Sequence, residues 1–240
     1  MPLPELGIAS EEVHVWRAFL DQDPPRSSTL ERFLSTDERD RAERFRFSRD
    51  RDHFVVARGL LRMILGRYLN VEPGHLQFTY GSRGKPTLSG PFSATNLLFN
   101  ASHSTGLALF AIACGRRVGV DVEFLCASLV SGHIPEHFFS PNEVSALRAL
   151  PAQAQPEALL TCWTRKEAYL KARGDGLAHR LDEFEVTLAP GEPPALLSTA
   201  VNPQEASRWS LHSLEPAPGY VGALAVEGHN LQLKCWQWSE

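Results

Sequence analysis

The chain has 240 residues, 43% of them hydrophobic and 22% charged, with a formal net charge of −4. That length supports a sizeable core, as one large domain or two small ones, and the composition is that of a soluble globular protein. The slight negative charge speaks against a nucleic-acid partner, and no apolar run is long enough to cross a membrane. The first ten residues, MPLPELGIAS, lack the charged start and apolar stretch of a secretory signal, so a cytoplasmic protein is expected. The cysteines Cys114, Cys126, Cys162 and Cys235 show neither zinc-site nor redox spacing and read as buried thiols.

In chain order, Thr29 to about Leu69 reads as mainly helical. Ser35-Thr-Asp-Glu38 offers a helix start, with a capping hydroxyl followed by acids in the first turn. From His53 to Leu69 apolar residues recur at helical spacing until Asn70 and Pro73-Gly74 stop them. Leu76 to Phe78 reads as a short strand and Gly81 to Pro86 as a loop. Leu97 to Phe99 and Leu107 to Ala113 read as strands joined by a polar turn from Asn100 to Gly106, with Val118 to Phe124 as a third strand of the same sheet. Ser140 caps a helix opened by Pro141. After a loop from Pro151 to Pro156, a second helix runs from Glu157 to about Arg173 and ends at Gly174 and Gly176. Strands follow at Phe184 to Leu188, Trp209 to Leu214 and Tyr220 to Val226. One pattern occurs twice: a helix, a turn, then a strand carrying phenylalanine, at Ala57 to Thr79 and at Thr161 to Val186. Two related halves would leave a cleft between them.

Asp121 and Glu123 lie two apart on a strand and so share a face. Such a pair repels itself unless a cation or protons intervene, and magnesium suits it, because that ion takes few carboxylates and completes its shell with phosphates and water. A solvated strand face is the plainer alternative. On the second helix Leu159, Trp163, Lys166 and Leu170 share one face, with Leu160, Glu167 and Lys171 beside it. Glu167 and Lys171 are either an exposed ion pair or a metal ligand and a phosphate contact. The chain has four lysines against twenty arginines, and Lys85, Lys166 and Lys171 all fall in these motifs, where a compact point charge suits a phosphate. Lys85 in a Gly-Lys-Pro loop and His103 between two serines are further phosphate candidates or simply loop residues. No Walker loop, dinucleotide fingerprint, Gly-x-Ser-x-Gly elbow or His-Glu-x-x-His occurs.

Read together, Arg83-Gly-Lys-Pro86, Phe99-Asn-Ala-Ser-His-Ser104, Gly119-Val-Asp-Val-Glu123, Phe138-Phe-Ser-Pro-Asn-Glu143 and Trp163-Thr-Arg-Lys-Glu-Ala-Tyr-Leu-Lys171 with Gly174-Asp-Gly-Leu177 resemble the 4′-phosphopantetheinyl transferases of the Sfp type. The resemblance implies an α/β (α+β) fold of two similar halves about a pseudo-twofold axis, here 1–117 and 118–240, with coenzyme A in the cleft. It implies transfer of 4′-phosphopantetheine from coenzyme A to a serine of an apo acyl or peptidyl carrier protein, by a monomer using Mg2+. Asp121, Glu123 and Glu167 would hold the metal. Lys166, Lys171, Ser102 and His103 would meet the coenzyme A phosphates, and Lys85 with Pro86 would line the adenine side. Arg49, then Arg58, would meet the 3′-phosphate, while Glu143 would take the serine proton and Glu167 and Lys171 would share the catalysis. Phe138, Phe139, Val144 and Leu147 lie where the carrier is expected to dock. A non-catalytic coenzyme A or carrier-binding protein and a Mg-dependent nucleotide hydrolase are the alternatives.

Overall fold

In the computed structural model, which describes residues 6–81, 84–126, 134–174, 180–200, 202 and 204–239, one order of elements is passed through twice. The first pass is strand β1 (Glu12–Phe19), helices α1 (Pro24–Glu31), α2 (Thr36–Ala42) and α3 (Ser48–Leu69), the short strands β2 (Phe78–Tyr80) and β3 (Pro86–Leu88), and the strands β4 (Leu97–Ser104) and β5 (Leu107–Cys114). The second is β6 (Val118–Phe124), α4 (Ile134–Phe138), α5 (Pro141–Ala149), α6 (Gln155–Arg173), β7 (Phe184–Val186), β8 (Leu196–Thr199), β9 (Trp209–Leu214) and β10 (Tyr220–Glu227). The sheet order repeats as well: β1 pairs with β5 and β5 with β4, just as β6 pairs with β10 and β10 with β9. The last strand, β11 (Gln232–Gln237), returns to lie parallel beside β1. The fold is of the mixed α/β class.

Local chemistry accounts for the helix ends. Ser35 and Ser140 each open a helix with a capping box, closed by Glu38 and Glu143 three residues on. The two long helices end on left-handed residues, Asn70 at φ 51° and Gly174 at φ 81°. Pro156 sits in the first turn of α6, not in the preceding loop, because a proline there forfeits no helical hydrogen bond. The proposed terminator Gly176 lies outside the described residues, as does the rest of the Asp175 to Leu177 motif, and Arg83.

Strand alternation sorts the cores. Leu107, Leu109, Ala111 and Ala113 of β5 share a buried cluster with Val118, Val120 and Val122 of β6. The opposite face of β5, Ala108, Phe110 and Ile112, packs with α3 residues Leu60, Leu61 and Ile64. Ala223 and Ala225 of β10 join the core of α6.

The expectations for β4, for β6 and for the cysteines need correction. Strand β4 continues through Asn100, Ser102 and His103, leaving only Thr105 and Gly106 to turn, both with positive φ. Strand β6 belongs to the second sheet rather than to that of β4 and β5. It meets β4 along a seam joined by side chains: Asn100 Oδ1 accepts from the Val120 N–H at 2.9 Å, and Ser104 Oγ accepts from the Phe124 N–H at 3.2 Å. These bonds occupy edge donors that a ladder would otherwise use. Of the four thiols only Cys162 is fully buried, while Cys126 and Cys235 are exposed. Among the described residues no helix is long and apolar enough to cross a membrane.

Candidate active site

Gly119 governs how the second long helix meets the acidic strand. A Cβ there would stand 2.2 Å from the Ala168 carbonyl oxygen and 2.3 Å from the Ala172 nitrogen, so only glycine lets β6 and α6 pack backbone to backbone. Gly119, Asp121 and Glu123 alternate onto one face of β6, opposite Val118, Val120 and Val122. Close packing on Ala168 and Ala172 brings the neighbouring Glu167 and Lys171 to those two acids.

The contacts that result are specific. Lys171 Nζ lies 2.6 Å from Asp121 Oδ1 and donates to Ser102 Oγ at 2.9 Å, while Ser102 Oγ donates to Asp121 Oδ1 at 2.8 Å. Ser104 Oγ donates to Glu123 Oε2 at 2.9 Å. Asp121 is 3% exposed, yet its second oxygen, Oδ2, is buried with no hydrogen-bond partner. Burial, then the charge of Asp121 and of Glu123, pushes the Glu167 carboxyl above its usual range, against the pull of Lys171. Glu123 is raised chiefly by burial, with Asp121 adding to it and Ser104 and Lys171 opposing.

This donor set fits a hard divalent cation. An orphaned buried carboxylate oxygen and two acids held above their usual range are what a missing positive charge would satisfy. Among the described residues no three His, Cys, Asp or Glu side chains form a ready-made cage. Magnesium does not need one, because substrate phosphates and water fill most of its shell.

Beside the acids opens a cleft of about 400 Å³. The first half contributes Arg41, Arg58, Lys85, Pro86, Ser102 and His103 to its wall, and the second contributes Glu167, Leu170, Lys171 and Gly174. Lys85 donates to the carbonyl oxygens of Lys171 and Val118, and burial with the charges of Arg117 and Lys171 brings its pKa down to about 8. Enclosure in the cleft lowers the His103 pKa, with Lys171, His53 and Arg41 adding to the effect, so the ring favours its neutral form. Arg58 lies over the rings of Phe54, Phe78 and Tyr80, and its Nη1 is buried without a partner. Arg41, within the arginine-rich stretch but not singled out from sequence, also lines the cleft; its place beside Phe54 was not legible from spacing.

Three sequence-derived assignments do not survive this geometry. Lys166 is fully buried, 2.8 Å from Glu143 Oε2, and donates to the carbonyls of Leu181 and Phe184, so it has no route to a phosphate. Glu143 is 3% exposed and accepts from the Ser140 and Val186 N–H groups, each at 2.9 Å, besides pairing with Lys166. A carboxylate with its oxygens so occupied is not a base for an incoming hydroxyl. Arg49 is largely exposed, 3.6 Å from Asp21, and is not part of the cleft wall. Of the four docking candidates, Phe139 and Leu147 are core residues and Val144 is half-buried, whereas Phe138 is 44% exposed, edge-on to Trp163.

Comparison with known proteins addresses the whole chain. Residues 117–225 match the 4′-phosphopantetheinyl transferase superfamily, and residues 23–114 match a family described as 4′-phosphopantetheinyl transferase, N-terminal. The 4′-phosphopantetheinyl transferase HetI of Nostoc sp. is 45% identical over 235 residues, covering 98% of this chain and 96% of that one. The 4′-phosphopantetheinyl transferase Sfp of Bacillus subtilis is 28% identical over 65% of this chain and 67% of its own. Among solved structures, a Chronobacterium ammoniagenes ACPS–CoA complex matches with a TM-score of 0.37 and 23% identity, over 46% of this chain and 95% of that one.

Proposed function

The chain belongs to the 4′-phosphopantetheinyl transferase superfamily, and we propose that its central cleft performs that family's transfer with the residues assembled above. The enzyme moves the 4′-phosphopantetheine group of coenzyme A onto a serine of an apo carrier protein and releases adenosine 3′,5′-bisphosphate. The observation that carries the site assignment is the buried, unpartnered Asp121 Oδ2 beside Lys171, at the edge of a cleft walled by cations from both halves.

In this reading the adenosine 3′-phosphate lies towards Arg58, with Arg41 beside it, and Lys85, Pro86 and His103 border the nucleotide. Lys171 faces the pyrophosphate. Asp121, Glu123 and Glu167 would hold a magnesium ion, which would supply positive charge to the pyrophosphate oxygens. The serine oxygen attacks the phosphorus that bears the pantetheine arm. The bond from that phosphorus to the departing nucleotide oxygen breaks, and the serine proton leaves. With Glu143 paired to Lys166 in the core, Glu167 in the cleft wall is the side chain suited to take that proton. Lys171 and the cleft arginines compensate the charge gathering on the departing bisphosphate.

The repeated element order supports two halves, divided at 117/118, about a pseudo-twofold axis, with the ligand between them. One chain then supplies both walls, which supports a monomer as the working unit. Exposed Phe138 remains a docking contact for the carrier.

Calorimetry tests the metal assignment without turnover. Magnesium should bind the wild-type protein more tightly with coenzyme A present, and Asp121→Asn should lose that gain. An undiminished gain in Asp121→Asn would move the metal elsewhere.

A further inference from the structure

The two halves repeat a buried ion pair as well as a fold. In the second half, Glu143 at the third position of α5 pairs with Lys166 of α6, which donates to the carbonyls of Leu181, in the turn before β7, and Phe184, the first residue of that strand. In the first half, Glu38 at the third position of α2 accepts from Arg62 Nε of α3 at 2.7 Å. Arg62 Nη1 donates to the carbonyls of Pro73 and Leu76, at 3.1 and 2.9 Å, in the turn leading to β2. Both acids also close a capping box, Glu38 accepting from the Ser35 N–H at 3.0 Å and Glu143 from the Ser140 N–H at 2.9 Å.

The two devices differ in one respect. The first-half pair carries a second cation: Arg58 Nε lies 3.5 Å from Glu38 Oε1, and the Tyr80 hydroxyl donates to the same oxygen at 3.4 Å. Glu38 is 1% exposed and Arg58 lines the cleft with its Nη1 unpartnered. Four donors, the Ser35 N–H, Arg62, Arg58 and the Tyr80 hydroxyl, therefore converge on one buried carboxylate, and the Arg58 guanidinium it steadies belongs to the cleft wall. Glu38 does not itself line the cleft.

We propose that Glu38 is a positioning residue: it fixes the Arg58 guanidinium in the cleft wall, held ready for the 3′-phosphate of the nucleotide. This rests on the reading of the cleft given above. The sign of the effect separates orientation from simple charge. Removing a nearby carboxylate raises the local positive potential and by itself would strengthen phosphate binding. Loss of a preorganised, charge-assisted contact weakens it.

The test is calorimetric titration with adenosine 3′,5′-bisphosphate and with adenosine 5′-monophosphate, read as the ratio of their affinities. Glu38→Gln keeps the shape and the capping acceptor, and its ratio should fall roughly tenfold, the scale of one charge-assisted contact. Glu38→Asp, which keeps the charge but withdraws it by one methylene, should fall less, and it decides the matter if the Gln variant does not fold. Glu143→Gln should lose thermal stability yet keep the wild-type ratio, because its pair carries no cleft cation. An unchanged or increased ratio in the Glu38 variants, with Arg58→Met losing it, would overturn the positioning role alone. A wild-type ratio near one would remove the 3′-phosphate reading, and the proposal with it.

Discussion

Lys85 shows how a single side chain can report on the cleft. It donates to two carbonyls, and burial beside Arg117 and Lys171 leaves its pKa at about 8. A phosphate arriving nearby stabilises the charged ammonium and raises that pKa. Near pH 8 the free protein holds this group about half protonated, so binding of coenzyme A draws in protons. Calorimetry in buffers of different ionisation enthalpy should show net uptake in the wild type and less in Lys85→Met. Equal uptake in both would place the titrating group elsewhere. For folding the sign is set by the same shift. The unfolded chain keeps more protons on this lysine above about pH 8, so its contribution to stability rises with pH through that window until the unfolded lysine also titrates.

At the scale of elements, two features bring the chemistry together. Gly119 sets the distance between β6 and α6, and Gly119→Ala forces its methyl into the Ala168 and Ala172 backbone. Overpacking of this kind costs about 1–3 kcal/mol, and here it also moves Glu167 and Lys171 from Asp121. Thermal melts should show the loss of stability, and transfer activity should fall further than stability alone explains; full activity would mean that the close packing is dispensable. The buried Glu143–Lys166 pair is the second feature, linking α5 to α6 and the turn after it. Lys166→Met leaves a carboxylate uncompensated in the core, which costs about 3–5 kcal/mol. Denaturant unfolding should register that loss, and a stability change near zero would contradict the structural role. Much of this was legible. The spacing of Leu159, Trp163 and Leu170 already put Lys166 on the apolar face of its helix, while Glu167 and Lys171 fell on the next one. What spacing does not reveal is that Glu143 lies opposite Lys166, since that pairing is made by tertiary packing.

Over the whole molecule, the helix–turn–strand echo was visible because each copy carries the same local signals: a helix, a stop at Asn70 or Gly174, and a strand carrying phenylalanine. The pairing of β1 with β11 was not, because its two strands come from opposite ends of the chain and carry no turn between them. The β4–β6 seam was hidden for another reason. Its polar residues Asn100, Ser102 and Ser104 read as a turn in isolation, yet they bond across to the neighbouring strand and its acids. That seam is where the arginine-lined half and the acid-bearing half meet, and the cleft is a product of both. The most direct test is mass spectrometry of an apo carrier protein incubated with this enzyme, coenzyme A and magnesium, beside samples with EDTA and with Glu167→Gln. The expected result is one added phosphopantetheine group in the wild-type sample and none in the other two. Full modification by Glu167→Gln would contradict the site, and consumption of coenzyme A without any mass gain on the carrier would contradict transfer itself.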